Sequence, residues 1–141
     1  MLSQLEVLDP TPKIAEKDTE PVHAEVEVSV ASPAIPPQVT FKVTTPGLGV
    51  SVDPKDPATL IINPGSYFID FTVIDDTFQN PAIIMSTPFG PFSIPRTGTN
   101  TATLSDTNTL SLGDGEQLFS FTFLFGSGPR DPTIVNTPDP V

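Results

Sequence analysis

The chain has 141 residues and a net charge of −11 at pH 7, from 17 acidic and 6 basic residues, and it contains no cysteine. The length predicts a single domain, and the absence of cysteine excludes disulfides and thiolate metal sites. Because binding to phosphates requires lysine and arginine, the acidic balance argues against nucleic acid and anionic membrane surfaces as partners.

The N-terminal residues lack the features of a targeting segment. No positive charge precedes Glu6, and no apolar run reaches the length of a signal-peptide core or of a membrane span. We therefore expect a cytoplasmic protein without membrane insertion. Residues 1–21 combine Leu2 and Leu5 with charges and prolines, a composition found in flexible tails. The apolar side chains favour an arm that adds a strand at a sheet edge, in its own subunit or in a neighbouring one.

Proline separates the predicted elements of the remaining chain. Seven of the 18 prolines follow aspartate or asparagine, a pair that starts turns and strands and ends helices. No interval between them shows a capped helical stripe, so helix content is predicted to be very low. Apolar residues at alternating positions predict strands at 22–30, 38–43, 48–52, 59–62, 66–74, 81–86, 101–104, 117–125 and 132–136.

The segment 117–125 is the strongest of these strand predictions. Phenylalanine recurs at every second position, at Phe119, Phe121, Phe123 and Phe125. Side chains alternate between the faces of a strand, so all four rings lie on one face, where they are expected to form one wall of a hydrophobic core. At helical spacing the same rings would spread around the axis and leave no polar face.

Seven to nine short strands separated by turns predict a single antiparallel β-sandwich over residues 22–141, with a small barrel as the alternative. The cysteine pair and the tryptophan of antibody domains are absent, so the term immunoglobulin-like describes the architecture alone. Residues 86–100 are predicted to form a long loop. Phe89 and Phe92 in this loop would have to pack inward or contact a partner.

The sequence offers little for catalysis. His23 is the one histidine, on the polar face of its predicted strand, so neither a two-histidine metal site within a subunit nor a Ser-His-Asp triad is indicated. The glycines match neither a nucleophile elbow nor a phosphate-binding or dinucleotide-binding motif. We therefore predict a protein that is not an enzyme and has no cofactor.

Carboxylates are the remaining candidates for chemistry. The candidate metal ligands are Asp75, Asp76, Asp106, Asn108, Asp114 and Glu116. Oxygen donors gathered at one end of a sandwich can hold Ca²⁺, but this spacing differs from the helical calcium loop. Asp and Asn are also ordinary turn residues, and structural turns are the preferred interpretation. A glycoside hydrolase would use two carboxylates and usually aromatic platforms, and this chain has no tryptophan and one tyrosine.

The C-terminal segment resembles a known family. It consists of Gly128-Pro-Arg-Asp-Pro-Thr-Ile-Val-Asn-Thr-Pro-Asp-Pro140 and follows Leu104-Ser-Asp-Thr-Asn108 and the aromatic strand. Together these are similar to the DP-EP family, small bacterial proteins named for an Asp-Pro and a Glu-Pro near the C-terminus. Asp131-Pro132 matches the Asp-Pro, whereas Thr137-Pro138 stands in place of the Glu-Pro. The resemblance implies an all-β fold and a bacterial source, and it implies no activity.

These observations predict a non-enzymatic interaction or structural module, with a homo-oligomer as the expected state and an unknown ligand. The apolar arm and the phenylalanine-bearing loop are easier to explain if a partner covers them. The expected partner contacts are Leu2, Leu5, Phe89 and Phe92. A calcium-dependent binding module and a carboxylate-based hydrolase are the alternatives.

Overall fold

The computed structural model describes residues 21–31, 38–85 and 91–138. Within these ranges the chain forms eleven β-strands and no helix, so no helical segment there can cross a lipid bilayer. The strands are β1 Val22–Ser29, β2 Thr40–Val43, β3 Val50–Asp53, β4 Asp56–Ile62, β5 Gly65–Val73, β6 Phe78–Met85, β7 Phe92–Thr97, β8 Thr101–Asn108, β9 Gln117–Phe125, β10 Gly128–Arg130 and β11 Thr133–Asn136. The all-β prediction is confirmed for the described residues.

The strands form two sheets. The first sheet has the order β6–β9–β11–β4–β3, with β10 beside the second half of β9. β10 and β11 follow one another along the same edge of β9, because both pair with it in one continuous register. The second sheet has the order β2–β1–β5–β8–β7.

The predicted antiparallel arrangement is wrong for two strand pairs. β1 pairs with β5 in parallel, and so does β4 with β11. Hairpin connections produce antiparallel neighbours, but several strands intervene in the chain between the members of each parallel pair. The strand predicted at 132–136 is present as β11, and it lies inside the sheet, between β9 and β4. The described residues contain more strands than the predicted seven to nine, since β7 and the short β10 were not anticipated.

The two sheets share one hydrophobic core, in which the aromatic face of β9 meets the second sheet. The ring of Phe123 contacts those of Phe41 and Phe71, with centroids 6.0 and 5.0 Å apart. Phe121, Phe123 and Phe125 are all buried, while Phe119 is partly buried. The predicted aromatic wall is confirmed. Burial of each phenylalanine contributes about 1.5–3 kcal/mol relative to exposure.

The segment predicted as a long loop contains β7. Phe92 is 8% exposed, and its ring packs edge-on against those of Phe119 and Phe121 at 4.7 and 5.0 Å. β7 is an edge strand, where prolines interrupt fewer ladder hydrogen bonds, and this explains why the proline-rich sequence still pairs. Phe92 is thus a core residue and is not exposed for a partner. The other predicted partner contacts, Leu2, Leu5 and Phe89, and the arm over residues 1–20 lie outside the described residues.

The strand register shows which residues lie at each of the two ends of the second sheet. Tyr67 on β5 pairs with Val22 at the start of β1 and with Asp106 near the end of β8. Val73 closes β5 at the opposite end of the sheet. At ~3.3 Å per residue, the six positions from Tyr67 to Val73 correspond to about 20 Å.

Candidate functional site

A surface groove lies between the end of β8 in the second sheet and the start of β9 in the first. Its volume is about 740 Å³, which is within the range of small-molecule and peptide sites. We call it the β8–β9 groove. Its apolar lining includes Pro91, Leu110, Leu118 and Phe119, and its polar lining includes Asn108 and Asn136.

Three buried polar side chains join the two sheets beside this groove. Asn136 Nδ2 donates a hydrogen bond to Asp106 Oδ1 at 3.0 Å. Asn108 Nδ2 donates to the carbonyl oxygens of Ile62 and Thr137 at 2.9 and 3.0 Å. We call Asp106, Asn108 and Asn136 the cross-sheet cluster. Each member is inward-facing and buried, so these hydrogen bonds form where water competes little.

Asp106 has no cationic partner in this cluster. The residue is 0% exposed, and burial raises the pKa of its carboxyl group to about 7, although the hydrogen bond from Asn136 acts to lower it. Burial also raises the pKa of the Tyr67 hydroxyl, and the charge of Asp106 raises it further. Among the described residues, Asp106 Oδ2 and Asn136 Oδ1 have no hydrogen-bond partner.

The structure corrects the predicted role of Asp106 and Asn108. Both were expected in a loop because the strand was predicted to end at Leu104, but β8 continues to Asn108. Continued alternation places Ala102, Leu104, Asp106 and Asn108 on one inward face. This alternation was the signal that could have identified them as interior residues. Asn136 was missed, because nothing in the sequence indicated that β11 lies inside a sheet opposite Asp106.

Asp75 forms a structural tether at the opposite end of the fold. Its carboxylate accepts hydrogen bonds from the Ser29 hydroxyl at 2.8 Å and from the Val30 and Ala31 amides at 2.9 and 3.0 Å. Partial burial acts to raise the pKa of Asp75, but these hydrogen bonds outweigh it and lower the pKa overall. Asp75 therefore fixes the end of β1 against the turn that follows β5.

The remaining candidate ligands also serve turns or lie in a loop. Asp76 accepts hydrogen bonds from the Ser127 hydroxyl, which lower its pKa, and from a neighbouring amide. Asp114 accepts a hydrogen bond from the Ser111 amide at 2.7 Å, and Glu116 is exposed in the same loop. Across the described ranges, histidine, aspartate and glutamate side chains form no group of three suited to a metal ion. The structure thus does not bring the six candidates together.

His23 lies on the exposed face of β1, as predicted. Its Nδ1 atom is 3.1 Å from Asp70 Oδ2, and the Thr103 hydroxyl donates to Asp70 Oδ1 at 2.8 Å. The His23 side chain is 62% exposed, and an exposed pair of this kind contributes about 0–1 kcal/mol. No serine hydroxyl completes a triad among these contacts.

Two large apolar side chains are exposed on β9 and in the loop before it. Leu118, which lines the groove, is 69% exposed, and Leu112 in the loop is 80% exposed. The Phe121 amide donates a hydrogen bond to the Pro132 carbonyl oxygen. In an antiparallel strand, every second residue directs its backbone groups toward the same neighbour. Leu118, three positions before Phe121, therefore directs its N–H and C=O groups away from β11. On that side, the described pairing of β9 with β6 extends from Phe125 to Phe121, whose partner Met85 is the last described residue of β6.

No protein-family model matches the chain, and the curated proteins include none with significant similarity to it.

Proposed function

We propose that this protein is a non-enzymatic interaction module with an immunoglobulin-like β-sandwich architecture, and that it self-associates through the surface around the β8–β9 groove. The observation that carries the proposal is the 69% exposure of Leu118 in the lining of the groove. Removing apolar surface from water is favourable by about 25 cal/mol per Å², and association must in turn offset the entropy that the two copies lose. Large exposed apolar side chains grouped at a groove are typical of interaction sites.

The position of Leu118 in the groove lining supports the same proposal, because a second copy of the chain seated at the groove would cover this exposed side chain.

The sandwich architecture and the resemblance to the DP-EP family are also part of this proposal. The shared aromatic core between two sheets supports a sandwich architecture. The resemblance to the DP-EP family rests on the sequence motifs, and the Asp-Pro pair among them makes structural hydrogen bonds. Asp131 Oδ1 accepts a hydrogen bond from the Thr122 hydroxyl at 3.2 Å, and the Pro132 carbonyl accepts one from Phe121 at 3.1 Å. The bacterial source and the cytoplasmic location are further parts of the proposal.

A non-enzymatic role is proposed because the described contacts of Asp106 include no second carboxylate. Asp106 has a raised pKa, as a general acid requires, but its contacts are an asparagine amide and a tyrosine. Glycoside hydrolysis needs a second carboxylate about 5–10 Å from the first, across a cleft that admits a sugar. Asp75 and Asp76 lie at the other end of the fold and serve as tethers.

Size-exclusion chromatography with light scattering tests self-association. We expect the wild-type chain of 15.0 kDa to form an assembly, and Leu118→Glu to dissociate it by placing a charge at the contact. Ile74→Glu is the matched control, since Ile74 is 59% exposed at the opposite end of the fold. A wild-type monomer throughout the micromolar range, or equal dissociation by both variants, would contradict the proposal.

A further inference from the structure

The hydrogen bond between Asp106 and Asn136 leaves one oxygen atom unused on each side chain. Asn136 Nδ2 donates to Asp106 Oδ1 at 3.0 Å, and the remaining atoms of the two groups are Asp106 Oδ2 and Asn136 Oδ1. Both are buried, and neither has a hydrogen-bond partner among the described residues. An ionised carboxylate and an amide oxygen are both acceptors, so neither can satisfy the other.

We propose that Asp106 is a neutral carboxylic acid in the folded protein and forms a reciprocal pair with Asn136. In this pair, Asp106 Oδ2–H donates to Asn136 Oδ1 while Asn136 Nδ2–H donates to Asp106 Oδ1. The proton comes from solvent, and no other bond is made or broken. One bound proton removes a buried charge and gives both unused oxygen atoms a partner, which is why the neutral form fits this site.

The surroundings of Asp106 favour the same protonation state. The residues that face it from the neighbouring strands are Tyr67 on β5, Phe92 on β7 and Asn136 on β11. Tyr67 is the one titratable group among these, and a raised pKa keeps its hydroxyl neutral at neutral pH. Among the described residues that face Asp106, none is a cation that would offset burial, and burial raises the pKa of Asp106 from 3.8 to about 7.

The reciprocal pair also links the proton to the β8–β9 groove. Asn136 lines the groove, and its bond to Asp106 joins the first sheet to the second at that end. Loss of the proton leaves a single hydrogen bond and a charge between the sheets, so the groove would be held less firmly. We therefore expect self-association to weaken as the pH rises through the Asp106 titration. This link rests on the proposed function, whereas the pairing itself does not.

Carbon-13 and nitrogen-15 NMR of the full chain tests the pairing directly. The Asp106 carboxyl signal is assigned by its loss in Asp106→Asn, and we expect its titration midpoint near 7 instead of 3.8. The side-chain amide of Asn136 should shift with the same midpoint. The amide of Asn108 is the internal control, because it donates to backbone carbonyls and should not follow. An Asp106 midpoint at the ordinary value, or an Asn136 amide that does not titrate, would overturn the pairing.

Light scattering well below and well above that midpoint tests the link to the groove. Wild-type assembly should decrease at the higher pH, while Asp106→Asn, which has no proton to lose, should assemble equally at both. Assembly that is independent of pH in the wild type would overturn the link and leave the proposed function standing. A wild type that is monomeric at every pH would remove the proposed function and the link together, while the NMR titration still decides the pairing.

Discussion

The substitution Asp106→Asn is expected to change how stability depends on pH. The pKa of Asp106 is raised from 3.8 to about 7 in the folded chain, a difference of about three units. Each unit corresponds to 1.36 kcal/mol, so the effect amounts to about 4 kcal/mol. Because the folded state holds the proton more tightly, the contribution of Asp106 is fully present below the unfolded pKa and is lost as pH rises through the folded pKa. Asparagine does not titrate, so the variant lacks this loss.

Urea denaturation of both proteins between about pH 4 and about pH 8 measures the effect. The free energy of unfolding of the wild type should fall relative to that of Asp106→Asn by about 1.4 kcal/mol per pH unit from about pH 4 to about pH 7, and the difference should level off at higher pH. Asp114→Asn is the control, because Asp114 is an exposed turn residue. A constant difference between wild type and Asp106→Asn across the window would refute the reasoning, since it would mean that Asp106 ionises equally in both states.

Three further substitutions test the core, a turn and a tether. Phe123→Ala removes a ring at the centre of the core and should lower the free energy of unfolding by about 3–5 kcal/mol; a loss well below this range in urea denaturation would contradict its central position. Gly49 and Gly113 both have positive φ, at +94° and +97°, but only at Gly49 would an added Cβ overlap the Tyr67 hydroxyl. Gly113→Ala is expected to introduce only backbone strain, about 1 kcal/mol. Gly49→Ala should lower the melting temperature more, because it adds the overlap with Tyr67. Equal shifts in the two variants would count against the overlap. Asp75→Ala removes the tether of β1. Because the pKa of Asp75 is lowered in the folded chain, its contribution to the free energy of unfolding is present above the unfolded pKa and is lost as pH falls through the folded pKa. The variant should show less acid sensitivity and faster amide exchange at the end of β1; unchanged exchange there would speak against the tether.

Side-chain alternation predicted the strands well where the inward-facing residues are apolar. In 117–125 the period of two directly indicates which side faces the core, and the structure buries the rings accordingly. The predicted strand ended too early, at Leu104, because the next inward residues, Asp106 and Asn108, are polar. Their burial depends on Asn136, which is distant in sequence and reaches them only through the fold.

Strand direction could not be predicted, because it depends on which distant strands become neighbours. The alternation in 22–30 and 59–62 is the same whether the neighbouring strand runs parallel or antiparallel. β7 was missed for a local reason, since prolines indicate a loop unless the strand occupies a sheet edge. The groove was equally hidden, because it forms only where β8 of one sheet comes close to β9 of the other.

The two parallel pairings set an order for folding. Val22 pairs with Tyr67, 45 positions away, and Thr133 pairs with Thr59, 74 positions away. Contacts over such separations form slowly, because the intervening chain must first lose its freedom. β11 fills the space between β4 and β9, so a chain still emerging from the ribosome has two open strands in its first sheet until residues 133–136 are released. The first sheet is therefore expected to close only after residues 133–136 become available for pairing.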